Sequence, residues 1–181
     1  CFCQTTVHRG FTTDPAGYDY PMSEAFEKAS VYLEARRRIA GLTSQSTDPV
    51  AAMASVSAVL FELLPTASGV GFYRVVAPGL LRVGPYQGPV GCVEIPFDKG
   101  VCGAAARELR TQIVDDVHAF PGHIACDSRA RSEIVVPVTD PTGRLVAVID
   151  LDSHQQGSFD EVDQEHLEAI AGLIRSSFSS G

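Results

Sequence analysis

Two apolar runs, residues 134–138 and 145–151, stand either side of Asp140-Pro141-Thr142-Gly143. Both are short and rich in β-branched residues, and Asp, Pro and Gly between them supply the backbone freedom of a tight turn. The segment therefore reads as a strand pair spanning residues 133–138 and 145–152. Neither run approaches the roughly 20 apolar residues that a membrane helix needs, so no span is expected. A strand pair this apolar has to be covered by other elements, which makes the flanking patterns decisive.

Those patterns are helical at both ends of the chain. After Ser23, a capping residue, Phe26, Ala29, Leu33 and Ala40 recur at helical spacing until Gly41. Pro49 suits a first helical turn, and Met53, Val56, Leu60 and Leu63 form an apolar stripe before Pro65. At the other end, Ser158 and Glu161 have capping-box spacing ahead of Leu167, Ile170, Ile174 and Phe178. Between the helices lie short β-rich runs at 70–76, 80–83, 91–95 and 112–114, with a short helix expected at 104–109. This order predicts an α+β fold, an antiparallel sheet of about six strands with helices packed on one face. At 181 residues one domain is expected, over 23–181, preceded by an irregular arm at 1–22.

Composition narrows the partners. The net charge is −8, and the one basic cluster, Arg36 to Arg38, is too small to neutralise a phosphate backbone, so nucleic acid is not expected. The five cysteines include no CxxC pair, and no charged segment followed by an apolar stretch opens the chain. A reducing cytoplasmic setting is the default under which thiol chemistry has to be considered.

Three cysteines fall in the strand-rich half. Cys102, in Gly100-Val101-Cys102-Gly103, precedes the short helix, whose unpaired amides and dipole would lower a thiol pKa. Cys126 sits in a long loop with Arg129 and Arg131 nearby, which would also favour a thiolate. Either qualifies as a nucleophile on these grounds. Cys92, in an expected strand, reads as a partner. Zinc is not expected, because nine residues separate Cys92 from Cys102. Asp150 and Asp152 alternate along a strand and so face one side, where crowding would raise a carboxyl pKa; solvent-facing strand-end charges are the competing reading. Glu133, at the start of its strand, either meets water or points toward Cys126. His118 and His123 read as residues bonding loop backbone. Of Phe72 and Tyr73, one ring joins the core and the other is free to line a pocket.

The run DDVHAFPGHIACDSRARSEIVVP at 115–137 resembles the signature of free methionine-(R)-sulfoxide reductases, a GAF-domain family. GPYQG at 84–88, IPFDKGVCG at 95–103 and VIDLDS at 148–153 follow in that family's order, so the likeness covers roughly 23–178. The resemblance implies reduction of the free amino acid's R-sulfoxide, recycling by thioredoxin with no other cofactor, and a homodimer. It assigns Cys126 as nucleophile and Cys92 as resolving partner, with Cys102 extending or replacing that exchange. Glu133, Asp150 and Asp152 match the family's pocket carboxylates, Tyr73 its pocket wall, and the amides of Ile124 and Ala125 its carboxylate-binding group. One position departs: Ser68-Gly69-Val70-Gly71-Phe72-Tyr73 has Gly69 where the family carries a tryptophan, and the chain contains none. A non-catalytic GAF ligand sensor and a thiol redox sensor are the competing readings. Three cysteines beside a carboxylate pair favour the enzyme.

Overall fold

The computed structural model describes residues 11–13, 19–21, 23–44, 47–89 and 91–179. Within the segment expected to be an irregular arm, β1 (Phe11–Thr13) and β2 (Asp19–Pro21) pair as a small antiparallel ribbon. Its other positions, Cys1 and Cys3 among them, lie outside the described residues. None of the helices among the described residues is long and apolar enough to cross a membrane.

Helix α1 (Glu24–Thr43) begins where expected, with the Ser23 hydroxyl accepting from the Phe26 N–H. Its buried face differs from the expected one. Tyr32, Ala35 and Ile39 are buried, while Phe26 and Leu33 are exposed, and the helix runs through Gly41. The reason is polar: the Tyr32 hydroxyl donates to the carboxylate of buried Asp163, and its ring stacks on His166. That anchor fixes the rotation of α1 against the last helix. Helix α2 (Pro49–Leu63) keeps its expected stripe through Met53, Val56 and Leu60. The last helix, α4 (Glu161–Leu173), is capped by Asp160 and Asp163 in a reciprocal capping box, two residues beyond the expected Ser158.

Six strands follow the order β5-β4-β3-β8-β7-β6, all antiparallel: β3 (Gly69–Ala77), β4 (Leu80–Gln87), β5 (Glu94–Pro96), β6 (Gln112–Val114), β7 (Ser132–Thr139) and β8 (Leu145–Ser153). The expected strand pair is β7–β8, and its turn is held by the Asp140 carboxylate, which accepts from the N–H groups of Thr142 and Arg144. Central strands β3, β7 and β8 are buried on both faces. On one face Val70, Phe72, Ile134, Val136, Ile149 and Leu151 meet α1, α2 and α4. Three of the four helices thus share a face, whereas the sequence reading expects all of them on one.

The fourth, α3 (Gly100–Glu108), covers the opposite face with Tyr73, Leu81, Val135 and Val148. Its composition suits close approach, since four of its residues are Ala or buried Gly. A Cβ on Gly103 would lie 2.6 Å from the carbonyl oxygen of Pro96 and 2.8 Å from that of Phe97. Both obstacles are backbone, so a side chain there displaces the helix. Gly103→Ala is therefore expected to cost about 2 kcal/mol and to lower the melting temperature by about 5 °C in a circular-dichroism melt. An unchanged melt would remove the close contact as the reason for glycine.

Candidate functional site

The face under α3 carries the chemistry. Alternation along β8 points Asp150 and Asp152 to this side, and antiparallel register sets Glu133 of β7 directly opposite Asp152. On the other flank Gly71 and Gly69 of β3 stand opposite Asp150 and Asp152. Gly69 leaves a trough beside the carboxylates, whereas Gly71 admits Tyr86 of β4, whose Cβ would lie 2.5 Å from a Cβ placed there. Tyr73, one register step further, lines the trough, while Phe72 joins the core, which divides the two rings as expected. Gly91 also has to be small, because a Cβ there would sit 2.8 Å from the Tyr73 hydroxyl.

Three segments close the trough into a small cleft. The N-terminus of α3 supplies Gly100, Val101 and Cys102, and the loop before β7 supplies His123, Ile124, Cys126 and Asp127. The loop is braced by its own backbone: the Gly100 N–H donates to the Gly122 carbonyl and the Cys126 N–H to the Ile124 carbonyl. Gly100, with φ of 65°, adopts a left-handed conformation that brings it against the Ile124 side chain. The third segment is the link from β4 to β5. Its Cys92 forms a disulfide with Cys126, the two Cα atoms 5.0 Å apart. Cys92 lies in this link and not in the strand expected for it, because pairing of β4 with β5 begins only at Glu94.

Cys102 is the free thiol among Cys92, Cys102 and Cys126. It is buried, and its Sγ donates to the Glu133 carboxylate over 3.9 Å. The sequence predicts a lowered pKa here from the start of α3; the structure reverses that. Burial pushes the thiol well up, and the neighbouring Asp150 and Glu133 charges push it further, outweighing the amides at the helix start. Arg129 does not serve Cys126 either. Its guanidinium turns to Asp127, which also accepts from His154. Those donors, with the Arg129 N–H foremost, hold Asp127 down at about 2. Asp127 is a cleft residue that sequence reasoning did not single out, and its place beside Cys126 in the loop is the signal that was available.

The carboxyl groups shift the other way. Burial, then Asp150 and Asp152, raises Glu133 well above the usual carboxylate range. Burial likewise raises Asp150 to about 6, and burial with Asp150 beside it raises Asp152 well above its ordinary value. One Asp150 oxygen, Oδ1, is buried without a hydrogen-bond partner among the described residues. The solvent-facing reading of these aspartates is thereby excluded: the structure gathers Glu133, Asp150 and Asp152 with Cys102 and the disulfide around one cleft. Ile124 lines it as well, whereas Ala125 is exposed beside it. The N–H groups of both make no hydrogen bond among the described residues. Gly69 borders the cleft next to Asp152, and a Cβ there would meet the Asp152 carboxylate at 3.6 Å. Cys102 Sγ with oxygens of Glu133 and Asp150 forms a group compact enough to ligate an ion. The hydrogen bond from the thiol to Glu133 shows the same atoms organised around shared protons.

A family model described as a GAF domain matches residues 46–178. The free methionine-R-sulfoxide reductase of Escherichia coli (strain K12) is 37% identical over 147 residues, spanning 81% of this chain and 88% of that protein. The protein of the same name from Saccharomyces cerevisiae is 50% identical over 109 residues, spanning 59% of this chain and 61% of its own. Among solved structures, free methionine-R-sulfoxide reductase from Neisseria meningitidis in complex with its substrate superposes with a TM-score of 0.80 at 41% identity, covering 88% of this chain and 93% of that one.

The carboxyl cluster sets a pH signature on stability. Groups with folded pKa values above their unfolded ones bind protons more tightly in the native state, so their contribution is fully present below about 4. It is lost as pH rises through the folded values, about 6 for Asp150 and well above the ordinary carboxyl range for Glu133. Glu133→Gln removes one ionising group from the cluster. It is expected to raise the melting temperature at pH 8 by about 3 °C or more and to change it little at pH 4. A variant no more stable than the parent at pH 8 would show that Glu133 is not under electrostatic load.

Proposed function

The chain belongs to the free methionine-R-sulfoxide reductase family of GAF-domain proteins, and on that footing we propose that it is an oxidoreductase reducing free methionine-(R)-sulfoxide to methionine, with Cys126 as the attacking thiol. The observation that carries this reading is the Cys92–Cys126 disulfide bordering a cleft floored by three carboxyl groups with raised pKa values.

The reduced enzyme begins with both thiols free. Cys126 Sγ attacks the sulfoxide sulfur, and a neutral carboxyl of the cluster donates its proton to the sulfoxide oxygen. The sulfur–oxygen bond of the substrate breaks and the oxygen ends on Cys126 as a sulfenic acid, so the substrate sulfur gains two electrons that Cys126 loses. Cys92 then displaces that oxygen as water and forms the disulfide. A dithiol of the thioredoxin class restores both thiols by exchange, as a reducing cytoplasm would allow. No metal or further cofactor enters this sequence.

Roles for the remaining residues follow from their surroundings. Glu133 is the first choice of acid, because burial and two neighbouring aspartates favour its neutral form. Asp150 and Asp152 share that proton load. Cys102, its pKa raised, retains its proton and holds Glu133 by the Sγ to Oε1 contact, acting as a donor and not as a third redox thiol. Tyr73 walls the cleft, and the free amides of Ile124 and Ala125 receive the carboxylate of a free amino acid.

The test follows NADPH oxidation with thioredoxin, thioredoxin reductase and free L-methionine-(R)-sulfoxide. Turnover of the R epimer is expected; folded, fully reduced protein without it would sink the proposal. Cys126→Ser is expected to abolish reduction, whereas Cys92→Ser should release one methionine per chain and then stall. Glu133→Gln should lower kcat by about a hundredfold. Multiple turnovers by Cys126→Ser would reassign the nucleophile.

A further inference from the structure

His123 is the cleft residue for which the proposed chemistry has no use. It lies three residues before Cys126, across the tight turn closed by the Cys126 N–H to Ile124 carbonyl bond, and its side chain lines the same cleft. Its Nε2 is buried and meets no hydrogen-bond partner among the described residues. The ring is held edge-on by His118, with centroids 5.8 Å apart. His118 is exposed, so the pair runs from the cleft to solvent. A buried imidazole nitrogen that serves no structural hydrogen bond, beside a reactive cysteine, has the makings of a proton acceptor.

The cleft supplies the need for one. Cys126 shares it with Asp127, Cys102, Glu133, Asp150 and Asp152, all acidic or neutral, no arginine among the described residues lines it, and the Arg129 guanidinium is engaged by Asp127. Carboxylates around a thiol oppose its ionisation, so nothing in that set draws the proton off Cys126. His123 lines the cleft with these groups, and His118 packs edge-on against its ring.

We propose that His123 is the base that takes the Cys126 thiol proton, so that the attacking species is a thiolate paired with the His123 imidazolium. This rests on Cys126 being the nucleophile. In the step, the Sγ–H bond breaks, Nε2–H forms, and the electron pair left on sulfur makes the bond to the substrate. The proton stays within the site and replaces the one a carboxyl gives to the sulfoxide oxygen, so the cycle needs no further reactant. Burial, with His118 beside it, lowers the His123 pKa, which keeps the imidazole neutral near pH 7 and available as a base.

The experiment measures the pH dependence of Cys126 alkylation by iodoacetamide in reduced protein carrying Cys92→Ser and Cys102→Ser, with modification at Cys126 read by peptide mass. It needs no sulfoxide, so its outcome is separate from whether the protein is a reductase. His123→Gln is expected to slow alkylation at pH 7 at least tenfold and to move the profile upward. His118→Asn, which removes the neighbour that depresses His123, is expected to move the profile downward. Opposite displacements support the base. A profile unmoved by His123→Gln, or moved upward by both variants, overturns it. Should His123→Gln fail to fold, the direction of the His118→Asn shift decides alone.

Discussion

Glu133, Asp150 and Asp152 occupy neighbouring register positions on one sheet face, where each carboxylate would repel the others and none meets a lysine or arginine among the described residues. A sheet holds such a set only by keeping protons on it or by excluding packing from it, and this fold does both. Burial and mutual repulsion raise the carboxyl pKa values. Gly69 leaves space beside Asp152, and Gly71 lets Tyr86 of β4 approach the sheet closely next to Asp150. Helix α3 approaches closely because Gly103 admits it against the Pro96 and Phe97 carbonyls, and so it delivers Cys102 to Glu133.

The two faces of the sheet divide the work. Helices α1, α2 and α4 bury the large apolar side chains on one side, with the Tyr32–Asp163 hydrogen bond tying α1 to α4. That side supplies the stability. The other side accepts an electrostatic load that no stable core would choose, and it sets carboxyl groups with raised pKa values beside the cysteines, as the proposed reduction requires. The two cysteines of the disulfide stand in loops, the Cys92 link and the Cys126 loop.

Much of this was legible in the chain. The period change from helix to strand and back gave the element order, because apolar spacing follows the geometry of each element. Alternation in residues 148–152 placed both aspartates on one side without any tertiary information. Resemblance to a family ranked Cys126 above Cys102 as nucleophile, a choice that residue context leaves open. The helical reading of α1 found the element but chose the wrong stripe, since Phe26 and Leu33 are exposed while Tyr32 is buried. A hydroxyl bonded to Asp163, 131 residues away, overrode hydrophobicity, and no local pattern contains that bond.

What the sequence by itself determined, then, is the order and type of the elements and the side of β8 to which Asp150 and Asp152 point. Both follow from backbone periodicity, a local property. The ionisation of the site was decided only by the tertiary structure. Cys102 stands at a helix start, where local reasoning predicts an acidic thiol, yet its pKa is raised. The helix dipole acts from within the segment, whereas burial and the Asp150 and Glu133 charges come from strands that the fold brings together. For a buried thiol, desolvation together with those charges outweighs the dipole.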